Sequence, residues 1–229
     1  MQRYQWSRGG SLALSGLLLA LSAAPVAAQE FEGVFTSRVP GPGGTLELKT
    51  SVKGARYRMD VALPGQGTVA MIGDPAAGEI YLVMAAQQMI MVMKLPEGDR
   101  ASEPGTGTEA SFTATGRKEV IAGHNCEYFR FTEGTNVTEV CFASDLGAFR
   151  GGASLFGGPP GRTGMPATPP WARELLRKGA FPLKVARGNG EVVWEVVAVE
   201  RKSLEAALFT PPANYQRMTM PSFGRPPAG

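Results

Sequence analysis

Between residues 31 and 201 apolar and polar positions alternate in short runs, broken by Gly, Pro, Asn and Asp. A period of two is the pattern of a strand, because successive side chains leave opposite faces. It predicts strands at Phe31–Arg38 and Gly44–Val52, with Val39–Gly43 as the turn between them. Ala55–Leu63 follows, with Tyr57, Met59 and Val61 on one face and Arg56, Arg58 and Asp60 on the other. Then come Gln66–Ile72, closed by Gly73-Asp74-Pro75, and the pair Glu79–Met84 and Met89–Leu95 around Ala85–Gln88. Beyond a Pro-, Gly- and acid-rich loop, Pro96–Gly107, lie Thr113–Ile121, Cys126–Phe131 and Val137–Phe142. Phe181–Arg187 and Val192–Arg201 flank an Asn189-Gly190 turn. Strands at a spacing of roughly 8–12 residues predict a mainly β chain, built as a large antiparallel sheet or an open barrel. Val192–Arg201 is apolar on both faces, which predicts a central strand covered on each side.

The pattern breaks at Gly147–Pro170, which is dense in Gly and Pro and reads as a flexible loop. One helix is expected after it. Thr168 suits the N-cap, Pro169 the first helical position and Gly179 the C-terminal stop; Trp171 and Leu175 lie on one stripe. Leu204–Leu208 is expected as a short helical turn. Regular structure should end at Phe209-Thr210-Pro211-Pro212, with residues 216–229 as a disordered tail.

The ends and the cysteines set the compartment. Arg3 and Arg8 precede the short apolar run Leu12–Leu21, and Val26-Ala27-Ala28 supplies small residues for cleavage. Residues 1–28 therefore read as a signal peptide, and 29–215 as one domain. No later stretch is long and apolar enough to be a transmembrane helix, and no cysteine follows the apolar run as a lipid anchor. The expectation is a soluble periplasmic or secreted protein. Without Arg3 and Arg8 the chain holds 21 basic against 20 acidic residues. With no basic stripe interleaved with aromatics, nucleic acid is not an expected partner.

Cys126 and Cys141 are the only cysteines, and in an oxidising compartment they are expected to pair. A four-residue loop, Thr132–Thr135, would put Phe131 opposite Asn136 and Cys126 directly opposite Cys141. The alternative is two reduced, buried thiols.

Several segments together resemble a known family. They are Gly54-Ala55-Arg56-Tyr57-Arg58-Met59, Gln88-Met89-Ile90-Met91, Ile121-Ala122-Gly123-His124-Asn125-Cys126-Glu127-Tyr128, Phe181-Pro182-Leu183-Lys184 and Phe209-Thr210-Pro211-Pro212-Ala213-Asn214-Tyr215. The chain resembles the DUF4412 family of exported bacterial proteins. It is more distantly similar to the superfamily of LolA, LolB and the RseB amino-terminal domain. The resemblance implies a curved antiparallel sheet, an unclosed barrel, with one or two short helices covering its concave side. In the better-known relatives that concavity holds acyl chains.

Residue chemistry gives little support to an enzyme. His124 is the only histidine and sits in a turn; the cysteines are not spaced as a redox motif; no carboxylate pair stands out. No catalytic residue, metal ligand set or cofactor is expected. Methionine is the unusual feature: Met84, Met89, Met91 and Met93 fall in one hairpin. The last three share a face, with Ile90 and Val92 on the other. Three readings are open: ordinary core, an adaptable wall for acyl chains, or thioether ligands for Cu(I). The expected function is a periplasmic carrier of hydrophobic cargo, whether lipid, acyl chain or lipoprotein. Tyr57, Met59, Met89, Met91, Met93, Trp171 and Trp194 are the candidate groove wall. An envelope scaffold or sensor that binds another protein through Gly147–Pro170 is the alternative, and a copper-binding protein a third. Both faces of the methionine hairpin are apolar, so the sequence leaves open which one lines the groove.

Overall fold

A computed structural model of the chain describes residues 30–41, 43–63, 67–94, 110–149 and 179–219. The expected signal peptide, the helix with Trp171, most of the Gly/Pro loop and residues 220–229 lie outside the described residues.

The described residues are mostly strand and form one large unclosed sheet. Its strands are β1 Glu32–Gly41, β2 Gly44–Lys53, β3 Arg56–Leu63, β4 Gly67–Asp74, β5 Glu79–Met84, β6 Met89–Lys94, β7 Ala110–Ile121, β8 His124–Glu133, β9 Asn136–Ala143, β10 Phe181–Arg187, β11 Val192–Arg201 and β12 Gln216–Thr219. Their order across the sheet is β12-β6-β5-β4-β3-β2-β1-β11-β10-β9-β8-β7. Two sequential meanders, β1–β6 and β7–β11, are thus sewn together by the antiparallel pair β1–β11. Bulges interrupt that pair and the β9–β10, β10–β11 and β7–β8 pairs. Gly33 serves the seam directly, since a Cβ there would stand 2.3 Å from the Glu200 carbonyl oxygen.

Strand positions match the alternation closely, and five expectations are corrected. The β1–β2 and β8–β9 hairpin turns are both tighter than expected. β1 and β2 pair out to Gly41↔Gly44, so Val39–Gly41 are strand, and β8 and β9 pair out to Glu133↔Asn136. The second change moves the register by two residues. Cys141 now faces Tyr128, and the Cys126–Cys141 disulfide runs diagonally across the pair, with Cα atoms 5.4 Å apart. The sequence ends its regular structure later than expected. Gln216–Thr219 pairs in parallel with β6, and the Gln216 amide donates to the Gln88 carbonyl at 2.9 Å. An open strand edge is enough to order such a polar tetrapeptide. The Gly/Pro loop also starts later, because Leu146, Ala148 and Phe149 are buried and the Phe31 amide donates to Ala148. Finally, β11 is central but deeply covered on one side only: Trp194 and Val196 are buried, whereas Ala198 is exposed.

Two apolar clusters hold the sheet. The larger gathers Phe31, Phe35, Tyr57, Phe149, Phe181, Leu183, Trp194 and Val196 with residues of β8 and β9. The smaller joins Ala70, Ile72, Val83, Ile90 and Val92 to Phe209, which sits in a 3-10 turn at Ala206–Phe209. The segment after β11 crosses to that turn under hydrogen bonds. Lys53 donates to the Leu204 carbonyl at 2.7 Å, and the Leu204 amide donates to Glu32 at 2.8 Å.

The disulfide closes a separation of 15 residues. In the chain-entropy account that contributes about 3 kcal/mol. Replacing both cysteines by serine should lower the melting temperature by about 6–12 °C for a chain of this size. Two titratable thiols in the unreduced protein would contradict the pairing.

Candidate functional site

Register across the sheet separates its two faces. Residues paired in neighbouring strands share a face, so Tyr57 and Met59 of β3 stand with Gly73 and Met71 of β4. Met71 pairs with Leu82 and Leu82 with Met91, while Met84 pairs with Met89 and Ile80 with Met93. In β12, Met218 pairs with Met91. One row therefore crosses five strands as Met59–Met71–Leu82–Met91–Met218, spanning about 19 Å. It continues through Thr50 to Phe35, which packs edge-on to Trp194 with ring centroids 6.2 Å apart.

This places six of the seven proposed wall residues on one face; Trp171 lies outside the described residues. Tyr57 and Trp194 belong to its buried end. Met59, Met89, Met91 and Met93 belong to its half-buried end. Gly73 lets the Tyr57 ring lie flat on β4, where a Cβ would come within 2.1 Å of it. Met71, Leu82, Met84 and Met218 join the face as well. Position within the strand marks Met71, Leu82 and Met84, but only the cross-strand register brings them together and adds Met218.

Charge divides the same strands sharply. From β2 to β6 and in β12, Glu47, Lys49, Lys53, Arg56, Arg58, Asp60, Asp74, Glu79, Lys94 and Arg217 all fall on the opposite face. Among the described residues of these strands the methionine face carries no charge. Yet its methionines are only half-buried, whereas Ile90 and Val92 beneath them are buried under the Phe209 turn. The short turn at Ala206–Phe209 thus lies on the side of the sheet opposite the methionines. Arg56 reinforces it there, 5.6 Å from the Phe209 ring centroid.

The disulfide end of that charged face holds a polar chain. Tyr128, Cys141, Lys184 and Glu195 form one cross-strand row. The Tyr128 hydroxyl donates to Glu119, and Lys184 reaches Glu119 at 3.2 Å and Glu195 at 3.1 Å. Arg117 stacks on the Tyr128 ring at 3.6 Å and pairs with Glu139 at 2.9 Å. Burial and the Glu119 carboxylate push the Tyr128 hydroxyl up to about 12. The hydrogen bond from Tyr128, helped by Lys184, holds Glu119 below its ordinary range. Burial opposes the charge on Lys184, but its bonds to Glu195 and Glu119 prevail and raise it. Because folding raises the Tyr128 value, its contribution is present below pH 10.0 and lost as pH climbs toward about 12. Stability should therefore fall across that alkaline window, and Tyr128→Phe should flatten the fall. An identical fall of unfolding free energy with pH in the two proteins, measured by denaturant titration at each pH, would count against this network.

His124 leads β8, with its Nδ1 2.7 Å from Asp145 Oδ2. Among the described residues no three His, Cys, Asp or Glu side chains are grouped to hold a metal ion. Among them, too, no helix is long and apolar enough to cross a membrane.

No curated protein matches the sequence. Two crystal forms of PNGF-II share 16% and 15% identity over 82% of this chain, with TM-scores of 0.45 and 0.41. MucB shares 13% over 81%, with a TM-score of 0.39. The chain spans 30% and 31% of the two PNGF-II chains and 58% of the MucB chain. A family profile described as a domain of unknown function, DUF4412, matches residues 31–215, and with a match of that extent the chain belongs to the DUF4412 family.

Proposed function

We propose that this is a non-enzymatic periplasmic carrier whose cargo is an acyl chain, borne by a lipid or a lipoprotein. The observation that carries the reading is the uncharged face of β2–β6 and β12, lined by half-buried methionines. Ten charged residues on the reverse of the same strands make that absence a property of the face rather than of the composition. An apolar surface left partly in water gains by receiving apolar cargo, at about 0.8 kcal/mol per buried methylene before the cost of association. Thioether side chains bend to fit chains of different length and saturation. The row Met59–Met71–Leu82–Met91–Met218 is about as long as a common fatty-acyl chain. No proton transfer or nucleophile is needed. The cysteine bridge fits export to an oxidising compartment.

Native mass spectrometry of protein purified from its host, with titration of a fluorescent fatty acid, tests the reading. Co-purifying lipid and saturable fatty-acid binding are expected. A ligand-free spectrum together with no binding by the wild type would reject it.

A further inference from the structure

The methionines are arranged more specifically than an apolar wall requires. Seven fall within the described residues, and all seven are on one face of the sheet: Met59, Met71, Met84, Met89, Met91, Met93 and Met218. The reverse of these strands builds its apolar cluster from Ala, Ile, Val and Phe. Six of the seven stand directly opposite another methionine: Met59 with Met71, Met84 with Met89, and Met91 with Met218. Direct cross-strand partners have Cβ atoms about 4.5–5.5 Å apart, and diagonal neighbours remain within reach of long side chains. Around Leu82 this brings four thioethers together. Met71 and Met91 flank it in the row, and the Met84–Met89 pair lies two residues along.

From this pairing we infer that the face binds a soft monovalent cation, Cu(I) or Ag(I), with Met84 and Met89 as its first two ligands and Met71 and Met91 completing the set. Thioether sulfur is a soft, neutral donor that selects Cu(I) over hard divalent ions. A face without carboxylates gives Mg(II) or Ca(II) nothing to hold. Competing soft donors are removed elsewhere in the fold, since both cysteines are oxidised in the bridge. The only histidine, His124, is on β8, at the far side of the sheet. The methionines are half-buried, so an ion can enter from solvent while its ligands are held by the strands. This site does not depend on acyl cargo, and either property can exist without the other.

The test is calorimetric titration of the full-length, disulfide-bonded protein with silver nitrate, a redox-inert probe. It runs beside NMR of the methionine ε-methyl groups. Saturable binding is expected, with the Met84 and Met89 methyl resonances moving first. The Met84→Leu/Met89→Leu variant preserves side-chain volume, and it should bind silver at least tenfold more weakly while keeping a cooperative melting transition. The inference is overturned by a wild type that binds no silver, by a variant that binds as tightly as wild type, or by shifts confined to residues around His124. If the variant fails to fold, the wild-type methyl shifts decide alone.

Discussion

Phe35→Ala should be the most damaging single truncation among the core residues. Phe35 stands on β1 beside the seam with β11, opposite Val199 and Thr50, and is 1% exposed. Its ring meets Phe31, Phe149, Phe181 and Trp194, with centroid distances of 6.4, 5.4, 5.3 and 6.2 Å. Those partners come from the start of the sheet, the segment after β9, and strands β10 and β11. One ring therefore ties the first meander to the second. Removing a buried phenylalanine costs about 3–5 kcal/mol, the larger values arising where neighbours cannot collapse into the gap. Here the neighbours are rigid rings on strands fixed by their ladders, which favours the upper end. At about 2–4 °C per kcal/mol, the melting temperature should fall by roughly 6–20 °C. Phe112→Ala is the control. Phe112 stacks on Phe129 at 4.7 Å, but it lies on the edge strand β7 and is only partly buried. Its loss should cost less than half as much. Equal losses in the two variants would show that the seam is not the mechanical centre of the sheet.

Much of this architecture is legible in the residues, because a period of two is a local property. Most strands from β1 to β11 are signalled by their own alternation, and β6 and β11 by short apolar runs between turn residues; β5, β10 and β11 begin and end where the pattern places them. What depends on distant pairing is not legible. The two-residue connection Gly134-Thr135 and a four-residue alternative give the same alternation in β8 and β9, yet they place Cys126 opposite different partners. The cysteines still join, since both registers leave them on one face. β12 carries no pattern of its own; its place is set by the free edge of β6. The candidate face shows the same division. Met89, Met91 and Met93 share a side by parity alone. That Met59, Met71 and Met218 extend the row follows only from the order β3-β4-β5-β6-β12. Likewise, Ile90 and Val92 read as apolar as the methionines do. The turn at Phe209 decides which of the two faces is closed, and it lies more than a hundred residues further along the chain.

Met91→Glu and Ile90→Glu, adjacent in one strand, should therefore fail in opposite ways. Met91 is half-buried on the uncharged face, between Leu82 and Met218, and Met218 is 51% exposed. A carboxylate there can reach water, so the melting transition should survive with a loss of about 1–2 kcal/mol. It would, however, set a charge in the middle of the row on which an acyl chain is proposed to lie. Cargo would have to leave that carboxylate unsolvated, and binding of a fluorescent fatty acid should drop at least tenfold. Ile90 is fully buried on the reverse, packed with Ile72, Val83 and Phe209. Glutamate at that position places an unpaired charge in a closed core, at a cost of several kcal/mol, and should abolish the cooperative transition. The pair separates a surface that is open for binding from one that is closed by folding. If both variants unfold, the methionine face is interior packing and the carrier reading fails. If Met91→Glu melts normally and still binds fatty acid as wild type does, the cargo lies elsewhere on the molecule.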